Sequence, residues 1–200
     1  MNTSIGKREL TKLQNREKIL AAARSVFLEL GYDGCNVRDI IRRTELAAGT
    51  FYNYYPDKLA VFKALIDDFV TGLSLQLHQI REQAKDLDSF VTGTYQLYFQ
   101  SIAEDPVSYE LSRRNEEVIG NIYDYSFMEL AQEILIKDIE DAIARNIMPQ
   151  VNVDYLAAAF LGVGMNVGRT MTDTRPMEPE KAAEFAAKLF LGGITQLPEE

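Results

Sequence analysis

The segment Ala47-Ala48-Gly49-Thr50-Phe51-Tyr52-Asn53-Tyr54-Tyr55-Pro56-Asp57-Lys58 decides how this 200-residue chain is read. Its spacing predicts a short helix over about Ala48 to Tyr54. Pro56 breaks that helix, and Asp57 is placed to cap the next one. Phe51 and Tyr55 point one way and are expected in the core. A helix this short cannot bury all of its aromatic residues, so Tyr52 and Tyr54 are expected to be exposed. Ala48 and Gly49 leave the helix start bare enough for base edges to approach. Thr50 and Tyr52 offer hydroxyls, and the threonine methyl suits a thymine. Tyr54 and Lys58 are spaced to reach phosphates on one side of the groove. Such a helix suits the major groove of duplex DNA.

Upstream, Leu13, Ile19, Leu20, Ala23, Val26, Phe27 and Leu30 recur at helical spacing. They predict a first helix starting at Thr11, with Gln14 completing a capping box and Gly31 as a left-handed stop. Lys7, Arg8, Lys12, Arg16 and Lys18 form its basic side and the preceding arm. After a loop over Tyr32–Cys35, Asn36 is a good N-cap for a two-turn helix from Val37 to Arg43 or Thr44, and Asp39 complements its positive start. Two short helices joined by a three- or four-residue turn make a helix-turn-helix.

The charge distribution agrees. Residues 1–58 carry ten Lys/Arg against seven Asp/Glu, a balance of +3, whereas residues 59–200 carry eleven against twenty-three, a balance of −12. Phosphates attract the first part and repel the second, so the chain would dock on DNA in one orientation.

Residues 16–62 closely resemble the tetracycline-repressor (TetR/AcrR) family of regulators. The resemblance rests on Arg16-Glu17-Lys18-Ile19-Leu20-Ala21-Ala22-Ala23, Phe27, Gly31-Tyr32 and Val37-Arg38-Asp39-Ile40. Above all it rests on Gly49-Thr50-Phe51-Tyr52-Asn53-Tyr54-Tyr55 with Lys58. It implies that Arg38, Ala48, Gly49, Thr50 and Tyr52 face bases or the groove, and that Asn36, Tyr54 and Lys58 contact phosphates. Two positions depart from the pattern. Glu45 stands where the turn usually has glycine, and Ala47 stands where a capping serine is common. Glu45 must therefore tolerate the turn without glycine's freedom.

Downstream, Leu59, Phe62, Ile66, Phe69 and Leu73 predict the buried face of a long fourth helix. Five further helices are expected at about 88–104, 106–118, 120–147, 153–173 and 178–196. Pro106, Pro149, Pro176 and Pro179 mark their boundaries. The expected fold is all-α: a nine-helix TetR-like architecture with an N-terminal helix-turn-helix domain over residues 1–58 and a ligand-binding and dimerisation domain over 59–200.

The resemblance implies that the second domain binds a small, often hydrophobic effector and so releases a palindromic DNA operator. Phe90, Tyr95, Tyr98, Phe99, Tyr109, Tyr123 and Phe127 are candidates for lining an apolar or amphipathic pocket. Arg113 can reach a ligand carboxylate or phosphate; it and Arg114 are adjacent on a helix and are not expected to share a face. The effector class favoured is a fatty acid or acyl thioester. Small residues Ala157, Ala158, Gly162, Gly164 and Gly168 thin the eighth helix. With Ala182, Ala183, Ala186, Ala187, Leu189, Phe190 and Ile194 of the ninth, they read as the seam of a homodimer.

Other functions are weighed on the same residues. One histidine, His78, and one cysteine, Cys35, cannot build a zinc site or a disulfide framework, and no metal or cofactor is implied. His78 reads as a solvated or satisfied helix histidine, and a small α-helical enzyme as a minor alternative. Cys35 beside a helix start is a candidate redox thiol, with a buried inert thiol as the competing reading. No segment has the length of a membrane span or the layout of a signal peptide, so a cytoplasmic protein is expected. An activator of the same fold remains the alternative to a repressor.

Overall fold

The computed structural model of the chain describes residues 6–115, 118 and 127–194. Among these are nine helices and no strand: α1 (Lys7–Gly34), α2 (Val37–Thr44), α3 (Ala48–Tyr52), α4 (Lys58–Gln83), α5 (Leu87–Glu104), α6 (Pro106–Arg114), α7 (Phe127–Ala144), α8 (Val153–Asp173) and α9 (Pro179–Ile194). The all-α nine-helix architecture is as expected. The chain forms two compact units, Met1–Phe69 with Val107–Ile122, and Val70–Pro106 with Tyr123–Glu200. The unit holding the helix-turn-helix thus runs along α4 as far as Phe69.

Several boundaries differ from expectation. Helix α1 starts at Lys7, four residues before Thr11, with Gly6 as N-cap and the Leu10 N–H donating to the Gly6 carbonyl at 3.0 Å. Nothing between Lys7 and Leu10 breaks a helix, and Glu9 in the first turn favours its positive end. Gly31, at φ +73° and ψ 166°, interrupts α1 near its end, a backbone state open to glycine. Helix α3 closes at Tyr52, two residues early; the Tyr54 and Tyr55 N–H groups still donate to the Phe51 carbonyl. Leu59 is 42% exposed and not buried as expected. Phe62 and Ile66 are buried as expected and form the buried face of early α4 with Val61 and Leu65, while Phe69 and Leu73 are half-buried.

The first unit packs Ile19, Ala23, Val26 and Phe27 of α1, Ile40 of α2, Phe51 and Tyr55, and that face of α4. Phe27 meets Phe62 edge-on, with ring centroids 5.3 Å apart. In the second unit Tyr95 stacks on Phe160 at 4.3 Å, and its hydroxyl donates to the Phe160 carbonyl at 3.0 Å. The buried phenol is thereby satisfied, and burial holds it far above its ordinary pKa.

A buried ion pair lies in the same unit. Arg81 donates to Asp138 at 3.0 Å, with both side chains 5% exposed. Its Nε also donates to Thr94 Oγ1 at 3.3 Å. His78 Nδ1 is 2.7 Å from the other Asp138 oxygen, so this histidine is a satisfied one. Arg145 donates to the carbonyls of Arg81, Glu82 and Ala84, closing the C-terminal end of α4.

Two stability predictions follow from these facts. Asp138→Asn leaves the Arg81 charge buried without its counter-charge and is expected to cost about 3 kcal/mol in urea denaturation; joint replacement of Arg81 and Asp138 by Met and Leu recovers most of it. Glu45 occupies the left-handed region at φ 57° and ψ 12°. A side chain there costs on the order of 1 kcal/mol, so Glu45→Gly is expected to raise the thermal midpoint by about 2 °C, and Glu45→Val to lower it.

Candidate nucleic-acid interface

The interface is built from two helix starts held against α1. At the first, Asn36 is the N-cap of α2: its Oδ1 accepts from the Arg38 N–H at 2.9 Å, and its own N–H donates to Asp39 Oδ2 at 2.9 Å. This reciprocal cap satisfies the first free amides of the helix. It also fixes where Arg38 leaves the backbone, and Asn36 and Arg38 are both exposed.

At the second, α3 follows a tight turn. Thr44, buried at the end of α2, donates its hydroxyl to the Ile41 carbonyl at 2.8 Å and accepts from the Leu46 N–H at 3.1 Å. Glu45 then turns the chain in its left-handed conformation. Ala47 is the N-cap of α3 and makes no side-chain cap, as its methyl dictates. Phe51 is fully buried and Tyr55 nearly so, as expected. Tyr52 is 54% exposed, Ala48, Gly49 and Asn53 are exposed, and Thr50 and Tyr54 are half-buried. A Cβ added at Gly49 would meet no atom within 4 Å, so the helix start is open to a close approach.

Several ties that the sequence did not disclose hold this arrangement. Arg43 grips Glu29 through both guanidinium nitrogens and donates to Ser25 Oγ at 2.5 Å, pinning α2 to α1. Glu29 is held below its ordinary pKa by the Arg43 hydrogen bond. Arg16 of α1 pairs with Asp68 of α4 at 2.9 Å. Lys58, the first residue of α4, donates to the carbonyls of Tyr32 at 2.6 Å and Cys35 at 3.0 Å, and its ammonium lies 4.2 Å from the centre of the Tyr32 ring. Asp57 caps α4 by accepting from the Ala60 N–H at 2.8 Å. Cys35 is buried and points its thiol at the Tyr32 carbonyl; burial pushes its pKa up, away from the thiolate a redox sensor needs.

The candidate effector residues are divided between the two units. Phe90, Tyr95 and Phe99 are fully buried in the second unit, with Tyr98 half-buried beside Phe99. Tyr109 and Arg113 lie on α6, which clusters with the first unit from Val107 onward. Tyr123 and the Phe127 side chain lie outside the described residues. Arg113 and Arg114, expected on different faces, both reach Glu110, at 2.8 and 2.5 Å. Burial would raise that carboxyl, but the two guanidiniums outweigh it and hold it low. Two clefts of the second unit involve none of these aromatics. One, of about 430 Å³ between α8 and α9, is lined by Asn166, Thr170, Met171, Lys181 and Phe185 among others. The other, of about 520 Å³, is lined by His78, Glu82, Lys137, Asp138, Asp141 and Arg145.

The small residues expected at a seam divide. Ala157, Gly164, Gly168, Ala183, Ala186 and Ala187 are buried within this chain, and Tyr95 and Tyr98 rings come within 3.6 Å of where a Gly164 Cβ would stand. Tyr155, at 78%, and Phe185 and Leu189 are exposed. Among the described residues, no helix is long and apolar enough to cross a membrane, and no group of His, Cys, Asp and Glu is placed to hold a metal.

Residues 19–65 match the family model for bacterial regulatory proteins of the tetR family. A transcriptional activator from Mycolicibacterium smegmatis, FasR, is 21% identical over 191 residues, covering 94% of this chain and 87% of its own. A transcriptional repressor from a Mycobacterium species, DhaR, is 27% identical over 160 residues, covering 74% and 79%. The solved structure of the fatty acid degradation regulator FadR from Bacillus halodurans superposes with a TM-score of 0.74 at 18% identity, covering 90% of this chain and 96% of that one. The matched residues run from the buried Ile19 of α1 to the buried Leu65 of α4. The family likeness therefore lies in the very helices that expose Arg38 and Tyr52: residues 19–65 are similar to the N-terminal segment of bacterial regulatory proteins of the tetR family, and the chain is similar over most of its length to DNA-binding transcriptional regulators of that kind.

Proposed function

We propose that this chain is a homodimeric repressor that binds a palindromic operator and leaves it when an apolar or amphipathic small molecule binds the body. The observation that carries the DNA-binding half is the division of α3: Phe51 is wholly buried while Tyr52, one residue on, is exposed. Arg38, Ala48, Gly49, Thr50 and Tyr52 read bases or line the groove. Asn36 and Tyr54 touch phosphates, and the Lys58 ammonium is held by the Tyr32 and Cys35 carbonyls. Arg38→Ala is expected to weaken binding to a duplex selected by the wild-type chain from a random-sequence pool, by tenfold or more, and Tyr54→Phe by a few-fold. Both should keep the wild-type helical circular dichroism. Unchanged affinity in both variants removes these assignments.

The dimer is supported by the exposed stripe of Tyr155 on α8 with Phe185 and Leu189 on α9. A two-fold pair would cover it and space two α3 helices on one palindrome. Sedimentation at micromolar concentration is expected to give about twice the 22.6 kDa chain mass; a monomer refutes the dimer.

A fatty acid or acyl thioester is the effector class favoured. The support is the aromatic-rich body and a structural neighbour that is a fatty acid degradation regulator. A ligand releases DNA only by binding one state more tightly than the other. Long-chain fatty acids and acyl thioesters are expected to raise the thermal midpoint and lower affinity for the selected duplex; stabilisation by small hydrophilic compounds alone overturns the class. The relative named as an activator favours one second reading, activation from a differently placed operator. Reporter output in a deletion strain separates the two, rising for a repressor and falling for an activator.

A further inference from the structure

The Lys58 ammonium is already occupied within the fold. A lysine has three N–H donors. Two of those on Lys58 go to the carbonyls of Tyr32 and Cys35, at 2.6 and 3.0 Å, and the Tyr32 ring packs against the same charge at 4.2 Å.

Those carbonyls belong to a particular place. Tyr32 follows the break at Gly31, and Cys35 is the C-cap of α1. The end of α1 carries the partial negative charge of the helix, yet there is no basic residue in its last turn. Lys58 supplies that cation from a different helix. Its own position matters equally. It is the first residue of α4, three positions after the buried Tyr55, while Cys35 immediately precedes Asn36 and the start of α2. One side chain therefore ties the chain leaving α3 to the chain entering α2.

We propose that Lys58 is a positioning residue for DNA recognition. It sets the spacing between the start of α2, with Asn36 and Arg38, and the end of α3, with Tyr52 and Tyr54, and its charge is used by α1 and not by a DNA phosphate. This rests on the interface proposed above.

A phosphate contact and a positioning contact differ in salt dependence. Loss of one lysine–phosphate contact lowers the slope of log affinity against log salt by about one. Loss of a positioning contact weakens binding and leaves the slope alone. The experiment uses the full chain and the duplex selected by the wild type, at a temperature where circular dichroism shows each variant fully helical. Lys58→Met is expected to bind five- to twentyfold more weakly with an unchanged slope. Tyr32→Leu removes the ring and leaves the carbonyl; combined with Lys58→Met it should weaken binding by less than the product of the two single effects, because both act through one loop. Lys58→Gln covers the case in which the methionine variant fails to fold. It keeps two N–H donors without the charge, and it should bind better than Lys58→Met, or measurably if that variant is unfolded, again with the wild-type slope.

A slope reduced by about one in Lys58→Gln or Lys58→Met, or full additivity with Tyr32→Leu, overturns the proposal in favour of a direct phosphate contact. Unchanged affinity in both Lys58 variants, alongside weakened Arg38→Ala, overturns it in favour of a purely structural lysine. Unchanged affinity in Arg38→Ala as well locates the failure in the interface itself.

Discussion

A helix of five residues has no stability of its own, because nucleation fixes several residues for a single hydrogen bond. Helix α3 nevertheless has to present its face at one angle. What holds it is Phe51, buried without remainder, supported by Tyr55 and the edge-on contact between the Phe51 and Tyr52 rings at 5.5 Å. Fully burying a phenylalanine is worth about 2–3 kcal/mol, more than the whole intrinsic preference of so short a segment for helix. The exposed residues Ala48, Gly49 and Tyr52 thus inherit their positions from a neighbour that never meets DNA. The turn before the helix shows the opposite balance. Glu45 carries backbone strain there, and the two hydrogen bonds of Thr44 keep the turn closed despite it.

The second unit solves a different problem. It buries a full positive charge, Arg81, by surrounding it with Asp138 and Thr94 and by letting His78 take the second carboxylate oxygen. Burial lowers the Arg81 pKa and the Asp138 partner opposes that, yet a guanidinium stays protonated throughout the physiological range. Such a pair adds little net stability but admits few alternative packings of α4, α5 and α7 within this unit. The glycine and alanine positions of α8 and α9 serve the same interior. Gly164 makes room for two tyrosine rings of α5, so the small residues are largely consumed inside one chain, and the large side chains Tyr155, Phe185 and Leu189 are left exposed.

Much of this was legible in the sequence because local rules determine it. Asn36 and Asp39 cap α2 as their spacing requires, Phe51 and Tyr52 part company on α3, and Pro106 and Pro179 each open a helix. The start of α1 was misplaced because Thr11 and Gln14 form a capping pattern that the chain overrides by continuing back to Gly6. Leu59 shares the spacing of the buried Phe62 and Ile66, but it stands in the first turn of α4 and is exposed there. The pairs Arg43–Glu29, Arg16–Asp68 and Arg81–Asp138 join residues 14, 52 and 57 positions apart. No periodicity encodes them, since each depends on how one helix is rotated against another. The effector residues were the least legible, because an aromatic that packs and an aromatic that lines a pocket have the same spacing.

The internal pairs also change what the basic head can do. Counted as residues, positions 1–58 hold ten cations. Counted in the folded unit, Arg16 is matched by Asp68, Arg43 by Glu29, and Lys58 faces two carbonyls. The exposed cations on α2 are then Arg38 in its first turn and Arg42 in its last. With three of its ten cations engaged inside the fold, on a chain of net charge −9, the head has less general attraction to phosphate than its residue count suggests. Its binding must depend on fit, with each short-range contact from α2 and α3 weighing more than it would in a strongly basic protein. The ties which orient those two helices then bear directly on the recognition proposed for them.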